Sequence, residues 1–148
     1  MDTHSFIILS FKVTSAFKAD GRQVRELLHL IYHLTRICAD KAYLSRKVCD
    51  FIVKHHAKPY IPLKKSILKI RGKGSRAWKE MILLYRRGKK IFLKRYHRRS
   101  LAETAISTVK RRFDHTLTST KRKTQKNELR LKVITYNLTI IARTRIKA

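Results

Sequence analysis

Short apolar runs alternate with amphipathic stretches over the first 63 residues, a pattern that predicts strands separated by helices. The run SFIILSFKVTSA, Ser5–Ala16, is rich in β-branched and aromatic residues and predicts a strand. Asp20 then stands where it can cap a helix. The apolar face of that helix is predicted to consist of residues at helical spacing: Val24, Leu27, Leu28, Ile31 and Leu34.

The segments that follow continue the alternation. RICAD is a short apolar run that ends in Asp40 and predicts a buried strand. Ser45 stands in position to cap the helix RKVCDFIVKHH, and PYIPL, bounded by Pro59 and Pro62, predicts a further short strand. An order of strand, helix, strand, helix and strand is typical of an α/β sheet with crossover connections.

The rest of the chain is predicted to be mainly helical. Residues 64–75 are basic and glycine-containing and predict a loop, and helices are predicted over Arg76–Arg87 and Lys90–Thr116. A polar, basic linker, TSTKRKTQKN, precedes a last helix at about 128–145. That helix shows apolar residues at helical spacing: Leu131, Ile134, Leu138 and Ile141. We therefore predict one domain over 1–148, with a strand and helix core at about 5–63 and a helical region at about 76–117.

Charge narrows the choice of partner. The chain carries 37 Lys and Arg against 9 Asp and Glu, a net charge of +28. Such a charge favours a polyanionic partner, above all nucleic acid, because Lys and Arg displace counterions from phosphates. The two cysteines form no C-x-x-C pair, which argues against a zinc ribbon. Since no apolar stretch reaches membrane-spanning length and no signal peptide is visible, we expect a cytoplasmic protein with no membrane contact.

Two of the few acids stand out by position. Asp40 ends a predicted strand and begins the loop ADKAY, where a carboxylate can point into a ligand crevice or simply stabilise a turn. Glu103 is the single acid in YHRRSLAETAISTVKRRF. On one continuous helix, Tyr96, Arg99, Glu103 and Lys110 fall within an arc of about 60°. An apolar stripe lies beside them: Ala102, Ile106, Val109 and Phe113.

Other candidate sites have simpler explanations. His29 and His33 are spaced i and i+4 on a predicted helix, but no third metal ligand lies nearby in the sequence. Trp78 and Tyr85 have the spacing to stack on bases, although core packing is the commoner role of such a pair. KRKTQK is a basic patch that we expect to contact DNA phosphates.

The segment from Tyr96 to Lys110 resembles a known signature. Tyr96, Arg99, Glu103 and Lys110 fit the pattern Y-x2-R-x3-E-x6-K of DDE transposases from prokaryotic insertion sequences. The segment CADKAYLSRKVCDFIVKHHAKPYIPLK is similar to the part of that family around its second catalytic aspartate. DTHSFIILSFKVTSAFKADGRQVRELL is similar to its hairpin and first helix, so the resemblance runs from Asp2 to about Arg143.

The resemblance implies an RNase H-like α/β catalytic core and metal-dependent cleavage and transfer of DNA strands. Asp40 then corresponds to the second catalytic aspartate and Glu103 to the glutamate, both as ligands of Mg²⁺ or Mn²⁺. Tyr96, Arg99 and Lys110 correspond to the partners that are expected to contact DNA. The implied partners are double-stranded DNA, as insertion-sequence ends and target, and further copies of the chain if it forms a homo-oligomer.

The family's first aspartate has no clear counterpart here. Asp2 matches the family's turn between its second and third strands, and Asp20 is placed as a helix cap, which leaves both only as alternatives for the third ligand. We therefore expect an N-terminally truncated core without strands one and two, inactive in catalysis but still able to bind DNA. The apolar segment FIILSFKV would then lack its usual partner strand. A non-catalytic, basic nucleic-acid-binding protein is the alternative.

Overall fold

A computed structural model describes residues 1–14, 20–29, 31–64, 67 and 74–146. The chain forms two compact units. The sheet unit comprises Thr14–Arg99, and the helical unit comprises Met1–Val13 with Ser100–Ala148. The prediction that 1–148 form a single partial catalytic domain stays a prediction.

The sheet unit is built on a β-α-β crossover. Strands β1, Arg36–Cys38, and β2, Lys58–Tyr60, pair in parallel, with Cys38 opposite Tyr60. Helix α2, Arg46–Lys54, connects them, and Ser45 caps it by accepting a hydrogen bond from the Val48 amide at 3.2 Å. The Ser45 cap and a strand at each of RICAD and PYIPL are therefore confirmed. The residues of β1 are exposed or half-buried, however, so the prediction of a buried strand is wrong, and β2 ends at Tyr60, before the end of PYIPL.

Two further helices pack against this crossover. Helix α3, Arg76–Arg87, has the predicted bounds and is capped by Ser75, while α4 spans Lys89–Tyr96. The largest fully buried side chains of the core come from the strands and helices together: Tyr60, Phe92, Ile52, Ile61 and Cys49. Trp78 is also buried, which confirms core packing for it and excludes stacking on bases.

The helical unit contains two helices and the N-terminal segment. Helix α5 spans Ser100–Phe113 and α6 spans Arg122–Ile146. Their small core joins Ala105, Val109 and Tyr136, with Met1 and Ile8 packed against it. No helix in the described ranges has both the length and the apolarity to cross a membrane.

The predicted strand Ser5–Ala16 is not formed in its described part, residues 5–14. Instead, the side-chain amide of Asn137 on α6 accepts a hydrogen bond from the Ile8 amide and donates one to the Ile8 carbonyl, both at 3.0 Å. The Tyr136 hydroxyl donates to the Phe6 carbonyl at 3.2 Å. A side chain thus satisfies backbone groups that have no strand beside them.

The predicted first helix is much shorter than its sequence pattern. A 3-10 turn spans Asp20–Gln23, and helix α1 covers only Val24–Leu28. His29 follows the helix, and His33 has a backbone φ of 58°, outside any helix. The predicted i, i+4 histidine pair on a helix face is therefore wrong.

The predicted helix Lys90–Thr116 is interrupted by a 3-10 turn at His97–Arg99. Like charges spaced four residues apart, Lys94 with Arg98 and Arg95 with Arg99, weaken a helix here. Serine at position 100 also favours a helix start over a helix interior.

The predicted linker at 118–127 is partly helical, because α6 begins at Arg122. Glu128, inside α6, accepts hydrogen bonds from the Thr118 and Ser119 amides and pairs with Lys132 at 3.1 Å. These contacts hold the loop before α6 against its first turns. The predicted loop at 64–75 falls mostly outside the described residues.

Candidate active site and nucleic-acid interface

Asp40 lies where the chain leaves the sheet. The Ala39 amide still donates to the Tyr60 carbonyl at 3.3 Å, and the next residue, Asp40, begins a 3-10 turn at Lys41–Tyr43. Its Oδ1 atom accepts a hydrogen bond from the Lys41 amide at 2.7 Å. One carboxylate oxygen therefore serves the turn, which leaves the other available for a second role.

The second oxygen of Asp40 faces a residue of the signature. Asp40 Oδ2 lies 3.7 Å from Arg99 Nη1, and the two side chains are 53% and 30% exposed, respectively. The Arg99 guanidinium carbon lies 5.7 Å from the centre of the Tyr96 ring. Three of the five predicted site residues, Tyr96, Arg99 and Asp40, are thus brought together in the sheet unit.

Glu103 and Lys110 lie on α5 in the helical unit, both exposed. Seven residues separate them, about two helical turns, so they share one face of α5. Glu103 stands in the first turn, where the helix dipole favours a carboxylate. Because Asp40 and Glu103 belong to different units, a shared site for their carboxylates stays a prediction.

The buried face of α5 differs from the predicted apolar stripe. Ala105 and Val109 are buried, whereas Ile106 is 53% exposed. Successive buried positions four residues apart place Glu103 on the solvent side, about 120° from Val109 on the helix. Glu103 is exposed, so solvent or a ligand can reach it.

Asp2 is engaged in a turn. Its carboxylate accepts hydrogen bonds from the His4 amide at 3.2 Å, the Ser5 amide at 2.9 Å and the Ser5 hydroxyl. The Ser5 hydroxyl bond is the main cause that lowers the pKa of Asp2 below its ordinary value. This arrangement suits a turn aspartate better than a metal ligand.

A complete metal centre is not assembled by the described residues. Among them, no three or more His, Cys, Asp or Glu side chains cluster in a way that could hold an ion. Asp40 Oδ2, the oxygen that does not bond to the Lys41 amide, faces the Arg99 guanidinium. Since paired catalytic metals need several carboxylate oxygens, the donor set seen here does not fit a two-metal site.

Sequence reasoning missed one functional candidate. Arg36, at the start of β1, belongs to no motif, yet it lines a cleft together with Lys94, Arg95 and Arg98. The basic segment KRYHRR gave a signal for the last three, whereas the convergence of Arg36 with them depends on the fold.

Comparison with known proteins gives the family. No curated protein and no solved structure matches the chain. A family model, the transposase DDE domain, matches residues 1–138, a range that includes Asp40, Glu103 and the signature residues. The chain therefore belongs to the transposase DDE domain family, which has an RNase H-like α/β fold, acts in DNA transposition and typically uses divalent metal.

Proposed function

We propose that this chain is part of an insertion-sequence transposase that binds double-stranded DNA, at the ends of the element and at its target. Asp40 is assigned as the second catalytic aspartate and Glu103 as the catalytic glutamate. The observation that carries the proposal is the contact between Asp40 Oδ2 and Arg99 Nη1, which unites a strand-end carboxylate with a signature cation. The family match over residues 1–138 supports the same assignment.

The contact between Asp40 and Arg99 is of a kind that a substrate can displace. A half-exposed ion pair contributes about 1 kcal/mol or less, because water screens it. A DNA phosphate offers Arg99 two oxygens and a stronger, charge-assisted pair of hydrogen bonds. In the DNA complex Arg99 would turn to the phosphate, with Tyr96 beside its guanidinium, and Asp40 Oδ2 would then be free to hold a divalent ion.

Divalent metal, Mg²⁺ or Mn²⁺, supplies this family with charge stabilisation at the scissile phosphate. Asp40 and Glu103 are the residues of this chain that we assign as ligands. Two carboxylates bind paired ions poorly. Asp2 does not supply a third, because its carboxylate accepts hydrogen bonds from the amides of its own turn. We therefore propose that the 148 residues alone bind DNA but neither cleave nor join it, as expected of a truncated core.

A strand-transfer assay with Mg²⁺ or Mn²⁺ tests this assignment. The 148-residue chain is compared with a form extended at its N-terminus by the family's first strands, and Glu103→Gln is introduced into both forms. Glutamine keeps the size of the side chain but removes the charge that binds a metal. Glu80→Gln is the matched control, because Glu80 is exposed and pairs with Arg76 at 2.8 Å away from the signature.

The expected result is activity in the extended form, its loss with Glu103→Gln and its retention with Glu80→Gln. If the 148-residue chain were active and Glu103→Gln abolished that activity, the prediction of a truncated, inactive core would be wrong. Asp2 or Asp20 would then have to be the third ligand. An extended form that remained active with Glu103→Gln would overturn the catalytic assignment.

The second candidate function is a non-catalytic, basic nucleic-acid-binding protein, which the net charge of +28 favours. It predicts DNA binding with no dependence on Asp40 or Glu103 and no activity in any extended form. A cytoplasmic location and assembly into homo-oligomers also remain predictions.

A further inference from the structure

We propose that Arg36 at the start of β1, together with three cations from the end of α4 and the turn after it, forms a second DNA-backbone site beside the candidate active site. Arg36, Lys94, Arg95 and Arg98 line a cleft of about 360 Å³, together with Ile91 from the same part of the described chain. This inference rests on the proposed DNA-binding function, and it assigns a phosphate contact to Arg36, which lies outside every motif.

The cleft combines two elements of the sheet unit. Arg36 comes from the first residue of β1, whereas Lys94, Arg95 and Arg98 come from the last turn of α4 and the 3-10 turn after it. The Cys38 thiol donates to the Arg95 carbonyl at 3.2 Å and so ties the two elements together. The cations therefore converge through the fold, not only through their proximity in the sequence.

None of the four cations of the cleft is seen in an ion pair with an acid of the described residues. Arg95 instead donates from Nη1 to the Tyr60 hydroxyl at 2.6 Å, which fixes its guanidinium without neutralising it. Four like charges around one cleft repel each other, and an anion that binds there relieves the repulsion.

Arg36 lies at the opposite end of β1 from Asp40, so the two can serve different phosphates. Arg36 and Asp40 are four residues apart on an extended chain, a distance of roughly 13 Å at the rise of a strand. One DNA strand advances about 3.4 Å along the helix axis per nucleotide. A phosphate held by Arg36 would thus lie roughly four nucleotides from a phosphate beside Asp40, a spacing that one continuous duplex can provide.

A salt titration of duplex DNA binding by the whole chain tests this proposal. The cleft variant is Arg36→Gln with Lys94→Gln, and the control variant is Arg46→Gln with Lys47→Gln in the first turn of α2. Each variant removes one Arg and one Lys from exposed positions of the sheet unit. Circular dichroism and the fluorescence of the single tryptophan, Trp78, establish that both variants fold.

The cleft variant should lower the slope of log K against log salt by about 1.8, since each lost phosphate contact removes about 0.9. If the two proteins bind DNA equally at 1 M salt, this difference in slope makes the binding constant of the cleft variant about 60-fold lower than that of the wild-type chain at 0.1 M salt. The control variant should weaken binding less than about 3-fold, because charges farther than about 10 Å from DNA are screened at that salt.

Equal effects of the two variants, with steep salt dependence retained in the wild-type chain, would overturn the cleft and leave the proposed function intact. A wild-type chain whose DNA binding did not vary with salt would overturn both. Inorganic pyrophosphate, added at constant ionic strength, separates the two sources of phosphate. If pyrophosphate protected the wild-type chain from heat but not the cleft variant, and DNA binding were equal in both, the ligand would be a small phosphate and not DNA.

Discussion

The two hydrogen bonds between Asn137 and Ile8 offer a sharp test of how the helical unit holds its N-terminal segment. Asn137→Ala removes both bonds, each 3.0 Å long, and leaves a half-buried amide and carbonyl without these partners. One net hydrogen bond contributes about 0.5–1.5 kcal/mol, so the segment should lose about 1–3 kcal/mol of local stability. Because 1.4 kcal/mol changes an equilibrium constant tenfold, the equilibrium constant for opening of the segment should rise about 5- to 150-fold.

Backbone amide hydrogen exchange at Ile8 measures this opening directly. Trp78 fluorescence is unsuitable, because Trp78 lies in the sheet unit. The control is Asn127→Ala on the same helix, where the exposed side chain contacts only Arg130 among the hydrogen bonds of the described residues. Exchange at Ile8 should be about as slow in the control as in the wild-type chain.

Unchanged exchange at Ile8 in Asn137→Ala would contradict the pairing of this segment with α6. The same conclusion would follow if Asn127→Ala accelerated exchange at Ile8 as much as Asn137→Ala does. Asn137→Asp adds a further check, since it keeps the acceptor for the Ile8 amide and loses the donor to the Ile8 carbonyl. It should therefore also accelerate exchange.

Two other predictions concern single residues. Gly74→Ala should lower the free energy of unfolding by about 1–2 kcal/mol or more, because φ is +149° and an added Cβ would lie 2.6 Å from Trp78 Cδ1. Urea denaturation followed by Trp78 fluorescence measures this change, and an unchanged midpoint would contradict it. Loss of hydration would raise the pKa of Glu128, but hydrogen bonds from Ser119 and Lys132 outweigh it and lower the pKa from 4.5 to about 2. Glu128 should therefore stabilise the start of α6 fully above pH 4.5 and lose that effect as the pH falls toward about 2. The protection factor of the Ser119 amide, which is its exchange rate relative to the intrinsic rate at each pH, should follow this pH dependence in the wild-type chain and not in Glu128→Gln.

Helix caps and short apolar runs in the sequence correctly predicted the helices and strands that depend on contacts between neighbouring residues. Ser45 and Ser75 each cap a helix through an amide three residues ahead, so the starts of α2 and α3 follow from the sequence alone. The parallel pairing of β1 with β2 follows from two short apolar runs separated by one helix. Asp40 was found by the same reasoning, because it marks the end of β1.

Long-range contacts were out of reach of the sequence pattern. The N-terminal segment is rich in β-branched and aromatic residues, which predicts a strand. Its Ile8 amide instead donates a hydrogen bond to the side chain of Asn137, 129 residues away. The spacing of apolar residues on α6 also failed to predict which of its residues are buried, because their burial depends on distant parts of the chain. Leu131 and Leu138 are 63% and 59% exposed, whereas Tyr136 is buried against Ala105 and Val109.

The candidate site was predictable only where one motif encodes it. Arg99 falls in the signature spacing, yet its contact with Asp40 depends on the 3-10 turn that interrupts the predicted helix. Arg36 has no motif and becomes a candidate only when β1 and α4 come together. Charge composition indicates a polyanion as partner, but it does not say which of the 37 cations contact it.

Whether Asp40 and Glu103 share one site is tested most directly by an experimental structure of the chain bound to double-stranded DNA. Paired catalytic metals lie about 3.5–4 Å apart, so carboxyl groups that serve them should lie within about 10 Å of each other. We predict that separation, with Arg99 on a DNA phosphate. Carboxyl groups more than about 10 Å apart in the DNA complex would contradict a shared metal site.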